Sequence, residues 1–234
     1  MNCAELQKPD FNWAGFIGKP YHKYLQEKKY MAYNKFTLEE AVERLNLKTV
    51  SVKSIVEDFE YYPPSDFLRT ALRRGTALAL RSSTEKARSE MIVTPILLEL
   101  QEVKMGKISL FSGIDFKVDP KRGLSGRCDF IISADGKSEF MTAPAITIVE
   151  AKNDNVRNGL GQCIAEMVAA QLFNQRHEKD IPTIYGVVTT GTNWRFLKLQ
   201  GNTVFIENTE RAYDFERNLD ELLGLLIRLT ETQN

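Results

Sequence analysis

An apolar run that ends in charged residues is the feature that most restricts the fold of this chain. Residues 145–152 have the sequence Ala-Ile-Thr-Ile-Val-Glu-Ala-Lys. Side chains of a strand alternate between two faces, so Ile146, Ile148, Glu150 and Lys152 are predicted to share one face and the alternate residues the other. Charged groups are seldom left at the edge of a core unless they are paired, bind a metal or take part in chemistry. The run therefore predicts a buried strand that places a carboxylate beside an ammonium group.

Polar residues on both sides of this run select it from similar sequences in the chain. Asp129 lies in the preceding apolar run, residues 126–133, where an unpaired carboxylate is costly to bury. Gln162 opens the helical segment that follows, at an end of the helix that favours anions. Other tripeptides with an acid, any residue and Lys occur, but only Glu150 to Lys152 follows an uninterrupted apolar run and has both neighbours.

A helix predicted at residues 83–101 supplies two further candidate carboxylates. Its apolar residues recur with helical spacing, and Pro95 within it predicts a kink or a restart. Glu90 lies on one stripe with Thr94, so its side chain is a candidate to point towards the edge of the sheet. Glu85 lies one turn or more earlier and is the competing candidate.

Taken together, these residues resemble the PD-(D/E)XK nuclease superfamily, which includes many restriction endonucleases and the nuclease domain of type I restriction subunits. The family pattern is an acidic residue on a first helix, an Asp on one strand, (D/E)-x-K on the next strand and often a Gln on the following helix. The matching residues here are Glu90 (or Glu85), Asp129, Glu150, Lys152 and Gln162. The resemblance covers roughly residues 84–206 and implies metal-dependent hydrolysis of phosphodiester bonds, with DNA favoured over RNA.

The resemblance also implies a role for each residue. Glu90, Asp129 and Glu150 would bind Mg²⁺ or Mn²⁺, because carboxylate oxygens suit hard divalent cations. Lys152 would stabilise developing negative charge or orient the attacking water, and Gln162 would assist with positioning. The alternative is a catalytically inactive binding or regulatory module on the same fold, acting in a larger complex. That module would lack metal affinity and would tolerate Lys152→Ala.

The predicted fold class is α/β, with a restriction-endonuclease-like mixed sheet flanked by helices in the order α-β-β-β-α-β-β. Residues 1–80 are predicted to be a mostly helical accessory unit, and residues 81–234 the nuclease-like domain. Within the first unit, Thr37 and Glu40 form a capping-box pattern that predicts a short helix. The sequence Pro-Pro-Ser-Asp at residues 63–66 predicts the start of another helix.

Composition narrows the choice of function classes. The chain has 31 basic and 31 acidic residues, which argues against a strong non-specific binder of nucleic acid. Arg127, beside Asp129, and Arg157, in the polar loop after Lys152, are the predicted substrate-binding residues. With two histidines in no recognisable triad, a histidine-based hydrolase is disfavoured. The chain lacks a Walker-type phosphate loop, so a motor would be a separate protein.

Cysteine content and hydropathy predict the setting of the protein. Three cysteines without metal-ligand spacing favour a reduced, cytoplasmic location. The sequence has no apolar run of the length of a membrane span and no signal-peptide pattern at its start, so no membrane association is expected. The expected partner is nucleic acid, and a homodimer and a separate motor or methyltransferase partner are further hypotheses.

Overall fold

One mixed β-sheet runs through the protein in a computed structural model that describes residues 32–136 and 138–231. Eight strands are present in these residues. They are β1 (Lys48–Val52), β2 (Ser109–Asp119), β3 (Leu124–Ser133), β4 (Ala145–Ala151), β5 (Thr183–Thr189), β6 (Asn193–Gln200), β7 (Thr203–Glu207) and β8 (Arg211–Ala212). The predicted α/β class with a mixed, helix-flanked sheet is confirmed at this level.

The order of strands across the sheet is β1-β7-β6-β5-β4-β3-β2, and β8 pairs with β6 beside this path. The pairs β1–β7 and β4–β5 are parallel, and the other pairs are antiparallel. Every residue of β4 and of β5 is buried, as expected for central strands covered on both faces. In the sequence, two strand-like runs, 181–190 and 194–199, are separated by Gly191-Thr192-Asn193, which predicts a hairpin. The antiparallel pairing of β5 with β6 confirms it.

Helices cover both faces of this sheet. They are α1 (Leu38–Arg44), α2 (Asp66–Ser82), α3 (Glu85–Arg88), α4 (Thr94–Val103), α5 (Leu160–Arg176) and α6 (Leu219–Leu229). One apolar core joins α1 and α5 to one face, and a second core joins α2, α4 and α6 to the other. Within the described part of the chain, no helix combines the length and hydropathy needed to cross a bilayer.

The described part of the predicted accessory unit packs into the same two cores. Thr37 and Glu40 form the predicted capping box of α1, and Ser65 accepts a hydrogen bond at the start of α2 as predicted. Strand β1 was not predicted, and it extends the sheet by pairing with β7. Residues 32–80 thus share one sheet with the rest of the described chain, and α2 crosses the predicted boundary at residue 80.

A π-helical turn at Ser89–Val93 separates α3 from α4. Pro95 has no N–H to donate to the carbonyl of Met91, so a regular α-helix cannot continue through this point. The hydroxyl of Thr94 donates instead to the carbonyl of Ser89 over 2.8 Å. The predicted interruption at Pro95 is therefore confirmed, and it takes the form of one extra residue in the turn.

The register of β4 differs from the predicted alternation at its start. Ile148 packs in the core of α5, and Val149 in the core of α4, as alternation requires. Ile146, however, packs with Val149, and Ala145 packs with Ile148, because the β3–β4 register shifts between Ile132 and Ser133. The last residues of the strand keep the predicted alternation, which directs Glu150 towards α5.

Candidate active site

Glu150 and Lys152 lie at the carboxyl end of β4, beside its parallel neighbour β5. Glu150 is only 1% exposed, and its Oε1 accepts a hydrogen bond from the ammonium group of Lys152. The backbone N–H of Lys152 donates to the carbonyl of Thr189 over 2.7 Å, which extends the β4–β5 pairing by one residue. Glu150 Oε2 is buried and has no hydrogen-bond partner in the described residues. A buried carboxylate oxygen without a partner is costly and needs an explanation.

Asp129, on the neighbouring strand β3, reaches the same point. Its Oδ2 accepts a hydrogen bond of 2.9 Å from the backbone N–H of Ala151, between the two charged residues of β4. Arg127 lies close by, with its guanidinium over Gly113 of β2: a Cβ at that glycine would be 2.8 Å from Arg127 Nη2. Burial raises the pKa of Asp129 overall, and the N–H of Ala151 and the charges of Lys152 and Arg127 oppose the rise. Asp129 therefore contacts the backbone beside Glu150, whereas the guanidinium of Arg127 lies on the β2 side of β3.

Helix α5 covers the site with two polar side chains one turn apart. Gln162 Oε1 accepts a hydrogen bond of 3.4 Å from Lys152 Nζ, and Gln162 Nε2 donates to Glu166 Oε1 over 3.1 Å. Glu166 is fully buried, and its Oε2 has no hydrogen-bond partner in the part of the chain that is described. A continuous polar chain thus runs from Glu150 through Lys152 and Gln162 to Glu166.

Of the two candidate carboxylates in the helix predicted at residues 83–101, Glu85 contacts the hydrogen-bonded side chains of the site. Glu85 Oε2 lies 3.7 Å from Lys152 Nζ. Glu90 forms its ion pair with Lys86, one turn away on the same exposed surface. The role of Glu90 as a metal ligand stays a prediction, and Glu85 is the better placed residue. Arg88 ties this helix to the site, because it donates to the carbonyl of Thr190 over 2.9 Å.

Burial controls the electrostatics of the cluster. Burial raises the pKa of Glu150, and the neighbouring Glu166 raises it further, whereas Lys152 lowers it. Burial opposes the charge of Lys152, but Glu150, Glu85 and Asp129 together outweigh it and raise the pKa of the ammonium group. Burial raises the pKa of Glu166 to about 8. Glu150 contacts the ammonium directly and Glu166 contacts an amide, so Glu166 is the carboxyl group that keeps a proton near neutral pH.

Two residues at the site were not predicted as functional. Tyr33 is 1% exposed, and its hydroxyl has no hydrogen-bond partner among the described residues. Burial raises its pKa, with smaller contributions from Cys128 and Glu166. Cys128 is buried beside Glu166, which together with burial raises the pKa of the thiol. Neither residue falls in a motif, and only the packing of the segment before α1 on β3 brings Tyr33 to the cluster.

The second predicted substrate-binding residue, Arg157, lies on a short 3-10 helix, Val156–Gly159, between β4 and α5. Its side chain is exposed. A Cβ at Gly159, at the end of this turn, would be 3.0 Å from Lys152 Cγ. The turn that carries Arg157 therefore packs against the stem of Lys152.

The residues present are suited to a divalent cation held by two carboxylates. Within the described residues, no group of three or more His, Cys, Asp and Glu side chains is arranged to hold a metal ion. Asp129 and Glu150 nevertheless meet at one point, and the buried Glu150 Oε2 lacks a partner that a cation would supply. Mg²⁺ is commonly held by one or two carboxylates together with substrate phosphate and water. The donor set fits that type of site.

Comparison with known proteins gave no match to any protein-family model and no match among curated proteins.

Proposed function

We propose that this protein is a divalent-metal-dependent nuclease that hydrolyses phosphodiester bonds, with DNA as the favoured substrate. The observation that carries the proposal is the buried Glu150 carboxylate, which shares one oxygen with Lys152 and leaves the other without a partner. A stable protein has little reason to bury such a group unless a ligand completes it. A cation bound between Glu150 and Asp129 would complete it, and a phosphate would then lie within reach of Lys152.

The roles of the residues follow from their positions. Asp129 and Glu150 would hold Mg²⁺ or Mn²⁺, which when bound supplies Lewis-acid activation of water and of the phosphate. Lys152 would donate a hydrogen bond to a phosphate oxygen as negative charge develops on it. Gln162 holds the Lys152 ammonium from the side opposite to β4, and Glu166 fixes the orientation of the Gln162 amide. In the reaction, water adds to phosphorus, the ester P–O bond breaks, and the leaving oxygen takes a proton.

The wider setting belongs to the same proposal. Membership of the PD-(D/E)XK superfamily, with its restriction-endonuclease-like sheet, is supported by the acidic residues, the lysine and the glutamine described above. The observed order of a helical segment (85–103), β2, β3, β4, α5, β5 and β6 agrees with the order the resemblance implies. A cytoplasmic location, a homodimer and a separate motor or methyltransferase remain parts of the hypothesis.

Plasmid cleavage tests the proposal directly. Supercoiled plasmid and single-stranded DNA are incubated with the protein in Mg²⁺, in Mn²⁺ and in EDTA. We expect metal-dependent cutting in the wild type and a loss of at least about 100-fold in Lys152→Ala, since a removed charge-stabilising donor typically costs that much.

The chain offers a matched control in Lys117→Ala. Lys117 also ends an acid-x-Lys tripeptide, but it lies exposed on β2, 4.0 Å from Asp115. It should leave cutting unchanged. Equal cutting by both variants would reject the site, and no cutting together with no Mn²⁺ affinity would favour an inactive binding module.

A further inference from the structure

A groove lies beside the candidate active site, between α1, β1 and the 3-10 helix Val156–Gly159. Its volume is about 1030 Å³, at the upper end of the range for small-molecule sites of roughly 300–1000 Å³. Basic and apolar side chains line different parts of it. The basic ones are Lys35, Arg157 and Arg195, and the apolar ones include Leu38, Val42 and Val50.

The groove and the active site share a wall. Arg157 lines the groove, and the turn that carries it ends at Gly159. A Cβ at Gly159 would be 3.0 Å from Lys152 Cγ and 2.6 Å from Val188 Cγ1, so the turn lies directly on the stem of Lys152. A chain-like substrate held at Lys152 would enter the groove with its next unit.

Arg157 and Arg195 both line the groove and are the residues in it suited to a negatively charged group. Neither arginine takes part in any of the ion pairs found in the described residues. Arg195 is half-buried, and its Nε donates to the carbonyl of Glu207 over 2.8 Å, which fixes the guanidinium. Burial lowers the pKa of Arg195 and the nearby charge of Arg157 lowers it further, while Glu210 and Glu207 oppose the shift. Two guanidinium groups that repel each other favour an anion between them, and their fork geometry suits phosphate.

The apolar wall is unusually open to solvent. Val50, on the edge strand β1, is 40% exposed, and Leu38 and Val42 of α1 are partly exposed beside it. An exposed apolar surface next to basic side chains suits a molecule with an apolar face and a phosphate. An unpaired nucleotide has both, because its base is not covered by a partner strand.

Acidic residues limit how much of the groove an anion can occupy. Glu39 and Glu43 of α1 also line it. A polyanion that followed the whole groove would be repelled by them. The occupant therefore has its phosphate at the arginine end only.

We propose that this groove binds one unpaired nucleotide next to the bond to be cut, with its phosphate between Arg157 and Arg195. The inference rests on the proposed nuclease function for the identity of its ligand. It adds a preference for single-stranded segments, since a paired base cannot turn its face to the apolar wall.

Binding in EDTA tests the groove separately from cleavage. Fluorescence anisotropy is measured with a labelled single strand of about 12 nucleotides, its duplex, and an acidic peptide of similar charge. We expect Arg157→Gln and Arg195→Gln each to weaken single-strand binding about tenfold, the value for one charge-assisted contact. Arg81→Gln is the control, because it removes the same charge from an exposed position on α2, across the sheet.

Each outcome decides the inference. Circular dichroism first verifies that Arg195→Gln is folded, and Arg157→Gln, on an exposed turn, gives an independent reading. No binding by the wild type, equal loss in Arg81→Gln, or stronger arginine-dependent binding of the peptide or duplex would overturn it. If single-strand binding depends on the arginines but the wild type cuts no DNA, the groove proposal stands and the nuclease proposal is rejected. If the wild type cuts DNA and both arginine variants bind the single strand with unchanged affinity, the nuclease proposal stands and the groove proposal is rejected.

Discussion

Two buried glutamates lie at the ends of strands in this protein, and they differ in how well they are satisfied. Glu207, at the end of β7, is 0% exposed, and both of its oxygens have partners: Arg211 donates to each, and the N–H of Ile55 donates to Oε1. Glu150, at the end of β4, has Lys152 on one oxygen and no partner among the described residues on the other. Burial alone therefore does not mark a functional carboxylate.

The difference indicates what each pair contributes. A buried ion pair whose hydrogen bonds are complete holds elements together, and Glu207 joins β7, β8 and the segment after β1. A buried pair that is incomplete costs stability, and on the proposed function the Glu150 pair is retained for its chemistry. We therefore expect changes at Glu150 to alter chemistry and changes at Glu207 to alter folding.

The largest expected effect is on catalysis by Glu150→Gln. The substitution keeps the shape of the side chain but removes the charge that would bind a cation, so cleavage of plasmid should fall at least about 100-fold. The free energy of unfolding should fall by less than in Glu207→Gln, because the side chain of Glu150 accepts one hydrogen bond and that of Glu207 accepts three. Cleavage rates and urea denaturation measure the two effects. A large loss of stability with cleavage retained would remove the contrast.

Glu207→Gln should show the opposite pattern. It leaves Arg211 with only the more distant Glu221, at 3.8 Å, and breaks a buried hydrogen-bonded pair, so the free energy of unfolding should fall by about 3 kcal/mol. Cleavage per folded molecule should be unchanged, because Glu207 belongs to the stabilising pair. Urea denaturation and plasmid cleavage below the melting temperature measure these quantities. If Glu207→Gln also lost cleavage while folded, the two pairs would not be separable.

The sequence predicts the site residues on β3 and β4 better than it predicts which carboxylate of the preceding helical segment lies near them. Alternation places Glu150 and Lys152 on one face, and the cost of burying a carboxylate singles out Asp129; both follow from local pattern. The choice between Glu85 and Glu90 does not, because the π turn adds one residue and rotates the helix before Thr94 by about 100° relative to regular spacing. Periodicity calculated through that turn therefore does not decide between the two carboxylates.

Long-range packing accounts for what the sequence does not predict. Strand β1 has an exposed, non-alternating pattern, and it forms only because β7, about 150 residues later, offers it a parallel edge. Tyr33 and Cys128 come together through the same kind of distant contact. The fold class, the capping box of α1 and the β5–β6 hairpin were predictable because each rests on neighbouring residues.

Metal binding should stabilise the protein through the Glu150 site. At a free Mn²⁺ concentration of about 100 times the dissociation constant, the free energy of unfolding should rise by about 2.7 kcal/mol. Asp129→Asn should abolish this gain. Asp115→Asn should keep it, because Asp115 is an exposed acid-x-Lys aspartate on β2. Thermal unfolding with and without Mn²⁺ measures the shift, and an equal gain in both variants would place the metal elsewhere.

Glu166 should make the stability of the protein depend on pH. Burial raises the pKa of Glu166 from 4.5 to about 8, so between these values the folded chain keeps a proton that the unfolded chain releases. The stabilisation is complete below about pH 4.5 and is lost as the pH rises through about 8. Glu166→Gln cannot ionise, so its stability relative to wild type should rise by at least about 1 kcal/mol across this window. Urea denaturation in EDTA measures the free energy of unfolding of both proteins at each pH. Parallel pH profiles for the wild type and Glu166→Gln would contradict the prediction.

The smallest expected effects separate the two helix carboxylates. Glu90 pairs with Lys86 on an exposed surface, and such pairs contribute about 0–1 kcal/mol, so Glu90→Gln should change neither stability nor cleavage appreciably. Glu85 lies 3.7 Å from Lys152, so Glu85→Gln should alter the pH profile of cleavage by removing one negative charge beside the ammonium. The negative charge of Glu85 favours protonated Lys152, so the alkaline limit of activity should move to lower pH in the variant. A shift in Glu90→Gln instead would mean that the helix turns its other face to the site during catalysis, and the resemblance-based assignment of Glu90 would then stand.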